Sequence, residues 1–133
     1  MNAPMPIAGF GESLVVIMRS SSGASIRPGG SPLNVAVGLA RLGADVEFAT
    51  SVGEDASGDL VLEHLTAAGV HVTPGSVGDA PTSTDEAIVG ADGGATYRID
   101  LHWAPSTSPR RPAIAAHLGS ISSVLQPGRA PCA

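Results

Sequence analysis

The sequence contains no lysine and a single cysteine, Cys132, among its 133 residues. A Walker-type phosphate loop requires a lysine, so this chain does not contain one. One thiol can form neither an internal disulfide nor the multi-thiol cluster of a structural zinc site. These absences exclude a Walker-type nucleotide-binding domain, a disulfide-based scaffold and a zinc-cluster protein.

Basic charge and long apolar runs are also scarce. Seven basic residues, all of them arginines, are set against twelve acidic ones, which gives a net charge of −5. This balance is unfavourable for a protein that follows a nucleic-acid backbone. The longest strongly apolar run, Leu14 to Met18, is far shorter than a membrane span, and residues 1–6 do not look like a secretory signal. We therefore predict a cytoplasmic protein that binds neither nucleic acid nor membranes.

Aromatic residues number only four, namely Phe10, Phe48, Tyr97 and Trp103. The core must therefore depend on aliphatic side chains, which are plentiful, since 43% of the residues are hydrophobic and 14% are charged. A complete domain of this length buries roughly two-thirds of the surface of its unfolded chain. The sequence thus predicts one globular domain over residues 1–133.

Strands and helices are predicted to alternate in the first half of the chain. The expected elements, by residue number, are an extended segment 7–19, a connector 20–30, a helix 32–42, a strand 46–52, a helix from about 55 or 57 to 68 and a strand 70–72. Ser31 is the predicted N-cap of the first helix and Pro32 its first residue. Because this helix is apolar nearly all round, we expect it to pack on more than one side. The alternation predicts a layered α/β fold.

The second half predicts a β-hairpin. Residues 87–90 and 95–101 are extended runs around the turn Asp92-Gly93-Gly94. Polar and apolar residues alternate from 96 to 101, which predicts one buried face and one exposed face. Residues 104–112 are expected to be a loop, and residues 117–125 a strand or a short buried segment. The acidic side chains of Asp85, Glu86 and Asp92 are interpreted as solvated turn residues.

The segment with the clearest chemical meaning is the turn that begins the first helix. Gly29 and Gly30 allow another group to approach the backbone closely, and the first helical turn has N–H groups that can donate outward. The amide of Asn34 lies in this turn and can both donate and accept, which suits a polyhydroxyl ligand. A glycine loop with a simple helix cap explains the same residues, so the residues alone leave both interpretations open.

Several motifs together resemble the N-terminal half of the ribokinase-like, or PfkB, carbohydrate kinases. The matching segments are Gly29 to Gly43, Val52-Gly53-Glu54-Asp55 with Gly58, and Leu65 with Ala68-Gly69-Val70. Gly11-Glu12 with Leu14-Val15 resembles the first strand of the fructokinase-like branch. The resemblance extends from about residue 7 to about residue 128.

The resemblance implies a layered α/β fold with a small β lid over a sugar site. It also implies transfer of the ATP γ-phosphate to a sugar hydroxyl with Mg²⁺. Carried over by position, Gly29, Gly30 and Asn34 would contact the sugar, and Tyr97 and Arg98 would lie near it. Packing within the hairpin is an alternative role for Tyr97.

Two departures from the family pattern limit these implications. Relatives usually carry an aspartate at the position of Val16, and because valine cannot accept a hydrogen bond, sugar affinity should be weakened; a shifted register is the alternative. The family's Gly-Ala-Gly-Asp turn, which supplies the base and the phosphate-binding amides, does not occur in the sequence. Val77-Gly78-Asp79 is rejected as a substitute because no helix is expected after it. We therefore predict no catalytic residue and only partial means to bind ATP and Mg²⁺.

Three functions remain open at this point. The first is a partial sugar kinase, inactive as an isolated chain, and the second is a non-catalytic sugar-binding or dimerising module. A dinucleotide-binding domain is the third, but the partial fingerprint Gly9-x-Gly11 has Leu14 where a glycine is required. An unpaired last strand would leave a sheet edge open to association, including homodimerisation. The four histidines lack metal-ligand spacing, so no metal site is predicted.

Overall fold

The computed structural model describes residues 6–103 and, through its backbone, the strand at residues 114–117. The elements of these ranges, in chain order, are β1 (Ile7–Phe10), β2 (Leu14–Ser20), β3 (Gly23–Gly29), α1 (Ser31–Arg41), β4 (Val46–Ala49), β5 (Val52–Gly53), α2 (Ala56–Ala67), β6 (His71–Val72), β7 (Val77–Gly78), β8 (Ser83–Val89), β9 (Ala95–Asp100) and β10 (Ile114–His117). This order confirms the predicted α/β class.

The main sheet has the strand order β10-β1-β4-β6, and its neighbouring strands are all parallel. Ile7 pairs with Ile114 on one side and with Val46 on the other. Parallel neighbours require crossover connections, which is why α1 and α2 separate the strands in sequence. Val46 and Phe48 point to the same face of β4 and pack in one cluster with side chains of both helices. The helices therefore cover one face of the main sheet.

The hydrophobic core lies between the main sheet and its two helices. Its buried members are Val15, Leu33, Ala36, Val37, Val46, Phe48, Val52, Val61, Leu65 and Val70. Phe48 is the largest of these fully buried side chains, and the others are aliphatic. The aliphatic core that the composition predicts is confirmed.

The second sheet has the order β3-β2-β8-β9. Strand β2 runs parallel to β8, and β3 and β9 pair with them in antiparallel fashion. The prediction of a connector over residues 20–30 is wrong, because residues 23–29 form β3 and pair with β2 along its whole length. The tight turn before β3 uses Gly23, whose φ of +138° suits glycine.

Helix α1 differs from its prediction in two ways. Ser31 is the first helical residue, not the N-cap; Gly30 holds the cap position, and no side chain caps the helix. The buried residues Leu33 and Val37 lie on one face, while Asn34 is exposed. Packing on more than one side is not found within the described residues.

The predicted hairpin is confirmed, but its buried face is not. Gly90 N–H donates to Gly94 O across the turn at 2.7 Å, and β8 and β9 pair on either side. Every residue of β9 is exposed, including Tyr97 at 67% and Ile99 at 37%. The reason is position: β9 is an edge strand of the second sheet, away from the two helices.

Further corrections concern the acidic residues and the chain after β9. Asp85 and Glu86 lie within strand β8, so their interpretation as turn residues is wrong. The strand near the C-terminus is β10, which ends where the predicted segment 117–125 begins; residues 118–125, the predicted loop 104–112 and Cys132 lie outside the described residues. Within the described ranges neither helix is long and apolar enough to cross a membrane.

Candidate functional site

The carboxyl ends of β1 and β4 meet at one edge of the main sheet. Phe10 and Ala49 are register partners at these ends, and Gly11 N–H donates to Ala49 O at 3.1 Å. Ligands of open parallel α/β sheets bind outside the carboxyl ends of the strands. The residues that follow β1 and β4 are therefore the first candidates for a binding site.

A buried polar cluster follows these two strand ends. The hydroxyls of Ser13 and Thr50 lie 2.8 Å apart, Thr50 N–H donates to Ser76 Oγ at 3.2 Å, and Glu12 is only 2% exposed. Neither Ser13 nor Thr50 belongs to a motif that the sequence predicts as a site. Their position directly after strands was the available signal.

The paired-glycine bend lies beside the same strand end. A Cβ on Gly30 would lie 3.3 Å from the carbonyl oxygen of Glu12, and Gly30 has a φ of +106°. A Cβ on Gly29 would lie 2.8 Å from Cγ2 of Val16. Both glycines are buried, and these approaches explain why both positions are glycine. The bend thus holds the start of α1 against β2.

The first turn of α1 leaves polar groups exposed next to this bend. Asn34 N–H donates to Gly30 O at 2.9 Å, while the Asn34 residue as a whole is exposed. The helix has no capping side chain, so the N–H groups that precede Asn34 lack an intrahelical acceptor. This turn can therefore offer backbone donors and a side-chain amide to an uncharged polar ligand.

The two remaining predicted site residues point to opposite faces of the second sheet. Tyr97 pairs with Ala87 and the neighbouring Arg98 with Glu86, and successive side chains of a strand alternate between faces. Asp85 pairs with Val16 on one side and Ile99 on the other, so it shares its face with Tyr97. A ligand bound against one face contacts only one of Tyr97 and Arg98 directly.

A second polar cluster links the start of α2 to the start of β8. The carboxylate of Asp55 accepts hydrogen bonds from Gly58 N–H at 2.7 Å, from the Thr82 hydroxyl at 2.6 Å and from Thr82 N–H at 3.0 Å. The same hydroxyl accepts from Gly53 N–H at 2.9 Å. These bonds, chiefly that from the Thr82 hydroxyl, hold the pKa of Asp55 below its ordinary value. Asp55 is thus the N-cap of α2, and the cluster fixes the start of this helix against the start of β8.

The described residues do not bring together a metal-binding group. Within residues 6–103 and 114–117, no cluster of three or more His, Cys, Asp or Glu side chains could hold a metal ion. His71 and His102 instead lie beside Asp45 and Asp100, at 3.5 Å and 3.0 Å. Strand β7 is followed by β8, so no helix begins after Asp79. Asp79 therefore lacks the helix N-terminus that a phosphate-binding turn requires.

The model of the pfkB family carbohydrate kinases matches residues 12–112. This chain belongs to the PfkB family. The match includes the paired-glycine bend, helix α1, the Asp55 cluster and the hairpin. The sequence resemblance to this family is therefore confirmed, as is its extension over most of the chain.

Individual relatives agree with this assignment. The chain is 31% identical to fructokinase-1 of Oryza sativa subsp. japonica, in an alignment that covers 92% of this chain and 44% of that protein. It is 26% identical to a fructokinase from Xylella fastidiosa solved with bound ATP, with a TM-score of 0.59 over 73% of this chain and 33% of that one. A ribokinase from Thermotoga maritima shares the fold at 23% identity and a TM-score of 0.62, over 72% of this chain and 36% of that one. The fold is ribokinase-like, and the similarity to fructokinases supports the fructokinase-like branch of the family. The chain spans less than half the length of these relatives.

Proposed function

We propose that this PfkB chain is the sugar-binding half of a fructokinase-like kinase of the cytoplasm. The reaction of the whole enzyme transfers the γ-phosphate of ATP to a hydroxyl of a small sugar, with Mg²⁺ as the metal. The observation that carries the proposal is the position of the Gly29-Gly30 bend and Asn34. Gly30 lies against the carbonyl oxygen of Glu12, which follows β1, at the edge of the main sheet where α/β sheets bind ligands.

The chemistry of this position suits a neutral polyhydroxyl compound. Each sugar hydroxyl donates one hydrogen bond and accepts others, and the amide of Asn34 can match both roles. The N–H groups at the start of α1 add donors. Tyr97 offers a ring and a hydroxyl on the face of the second sheet that it shares with Val16 and Asp85. Arg98 is proposed to contribute only indirectly, because it lies on the far face with Glu86.

Phosphoryl transfer requires groups that the described residues do not supply. ATP and Mg²⁺ would bring the phosphoryl group and neutralise its charge, but the sequence has neither a lysine nor a Gly-Ala-Gly-Asp turn. We therefore propose that the isolated chain binds the sugar and does not phosphorylate it. A coupled ADP-release assay with a panel of ketoses and aldoses checks this, and release above background would contradict it.

Sugar binding itself is tested by titration calorimetry with the same sugars. Asn34→Ala is expected to weaken binding about tenfold, the loss typical of one or two neutral hydrogen bonds. Thr66→Ala is the matched control, because Thr66 is also exposed on a helix but lies near the end of α2. Absence of saturable binding by the wild-type chain would contradict the proposed function.

Association through the second sheet is a second candidate function. The exposed large apolar side chains of this sheet are Met18, Ile26, Ile88, Tyr97 and Ile99. The register puts Ile26 and Ile88 on one face of the sheet and Met18, Tyr97 and Ile99 on the other. Exposed apolar residues that share a face mark an interaction surface, and the face of Ile26 and Ile88 is the one opposite to Asp85. If this sheet mediates self-association, the double variant Ile26→Ser, Ile88→Ser should be monomeric in sedimentation velocity at concentrations where the wild type is not. A monomeric wild-type chain would rule this candidate out.

A further inference from the structure

One carboxylate in the second sheet has no partner in the part of the chain that the structure describes. Oδ1 of Asp85 is buried and accepts no hydrogen bond there. A buried carboxylate oxygen without a donor costs free energy, because its hydration is lost without replacement. Glu86, the next residue, lies on the opposite face and accepts a bond from Arg19 Nε at 3.1 Å. The two acidic residues of β8 therefore have different environments.

The sheet register places Asp85 beside the paired-glycine bend. Asp85 pairs with Val16 of β2, and paired residues share a face. Val16 in turn packs over Gly29, since its Cγ2 occupies the space that a side chain there would need. Arg27, Val16 and Asp85 thus form a row across three adjacent strands. Gly29 lies diagonally next to Val16, so the apolar Val16 separates the bend from Asp85.

We propose that Asp85 binds the sugar by accepting a hydrogen bond from one of its hydroxyls. This inference rests on the proposed function. It assigns to Asp85 the role of hydrogen-bond acceptor, which the valine side chain at position 16 cannot perform. A sugar resting on Val16 would reach the Asn34 turn on one side and the Asp85 carboxylate on the other. Asp85 as a residue is only partly buried, so rotation of its carboxylate would present the orphaned oxygen to an incoming hydroxyl.

The same carboxylate sets the class of sugar that the site prefers. Negative charge on a ligand held against Asp85 would meet like charge with little water between, which is strongly unfavourable. Arg27, the other partner of Val16, is exposed on β3, where water screens its charge. The site therefore selects neutral sugars over sugar acids.

The test compares Asp85→Asn with the matched control Glu86→Gln on the opposite face of the same strand. Calorimetry with a neutral ketohexose should show binding weakened roughly ten- to hundredfold in Asp85→Asn, as expected for a hydrogen bond to a charged group. Glu86→Gln should change it less than twofold. Asp85→Asn should also lower the ratio of the affinity for the neutral sugar to the affinity for the corresponding sugar acid.

The thermal unfolding midpoint without sugar distinguishes a binding role of Asp85 from a structural one. If Asp85 stabilised the fold, its replacement would lower this midpoint. Because Asp85→Asn removes an uncompensated charge, its midpoint should rise above that of the wild type, as at functional positions that carry a stability cost. Asp85→Ala should likewise lose sugar affinity without a large loss of stability. A lower midpoint for Asp85→Asn would overturn the inference.

The binding outcomes separate the two proposals. If the wild-type chain binds sugar and Asp85→Asn binds equally well, the role of Asp85 is wrong while the proposed function stands. If the wild-type chain binds no sugar, both proposals fail together. Weaker binding with a raised midpoint supports both.

Discussion

The main sheet with its helices and the second sheet bury their side chains very differently. In the first region all four residues of β4 are buried, and Phe48 and Leu65 are fully enclosed. In the second, every residue of β9 is exposed, and β2 changes from buried to exposed along its length. The core thus supplies most of the stability. The second sheet packs against the core at one end, and the rest of its surface is exposed to solvent.

The point of attachment is the first half of β2. Val15 belongs to the core cluster and Ile17 packs against it, whereas Met18 and the residues after it are exposed. The bend at Gly29 and the Asp85 carboxylate lie level with this half, not with the exposed end. The candidate site therefore lies where the two regions join, and the following substitutions test that division.

The largest effect is expected for Phe48→Ala in the main sheet. Removing this fully buried ring should lower the free energy of unfolding by about 3–5 kcal/mol, through lost burial and the cavity left behind. Urea denaturation measures the change. Tyr97→Ala, the matched aromatic truncation in β9, should cost less than about 0.5 kcal/mol. Similar losses at the two positions would show that the second sheet carries as much packing as the core.

A pair of glycines sharpens the same comparison within the helices. A Cβ on Gly58 of α2 would collide with the carbonyl oxygen of Gly53, so Gly58→Ala should cost about 1–3 kcal/mol through overpacking. Gly38 of α1 has open space around it. Gly38→Ala should instead stabilise the chain by about 0.5–1 kcal/mol, since it reduces the entropy of the unfolded chain. Denaturation midpoints that shift in the same direction would contradict this account of the two sites.

The sequence predicts the core region better than the second sheet for a physical reason. Helices α1 and α2 and strand β4 have apolar runs with glycine stops, which are local signals. Strand β3 is not predicted because its sequence, GASIRPG, has a single strongly apolar residue, Ile26, among glycines and a proline that are typical of turns. Both faces of the strand are largely exposed, so burial does not select apolar residues there. Edge strands of this kind are specified by pairing with a neighbour, which local sequence does not reveal.

The residues of the candidate site also differ in how far the sequence alone predicts them. Gly29, Gly30 and Asn34 were recognisable because a glycine pair before a helix is a local motif, and the structure places them together. The position of Asp85 beside Val16 depends on pairing between strands about seventy residues apart. A change of register by one residue would turn Asp85 to the other face, so the sequence alone could not assign it.

A smaller effect with a defined pH dependence is expected for Asp55→Asn. The pKa of Asp55 is lowered in the folded chain, so its charged form stabilises the fold above the unfolded pKa. That contribution is lost as pH falls through the lower folded pKa. At pH 7 the variant should be about 1 kcal/mol less stable, because asparagine still caps the helix but binds Thr82 less well. The difference should shrink below about pH 3.8, the ordinary value.

Stability curves at pH 7, 5 and 3 measure this dependence. Asp59→Asn serves as the control, since Asp59 is exposed in the same first turn of α2 and should give only a few tenths of a kcal/mol. A difference between wild type and Asp55→Asn that stays constant from pH 7 to pH 3 would show that the charge of Asp55 is not what holds α2 to β8.

The smallest effect is expected for Arg19→Ala, in the exposed half of β2. Its Nε lies 3.1 Å from Oε1 of Glu86, but more than half of the Arg19 side chain is exposed, and such surface ion pairs contribute about 0–1 kcal/mol. Unfolding free energies at low and high salt should differ from wild type by less than about 0.5 kcal/mol, and less at high salt. A larger loss would mean that the far half of the second sheet unfolds cooperatively with the core. In that case the candidate site would be held rigidly from both sides, instead of lying at the edge of a stable region.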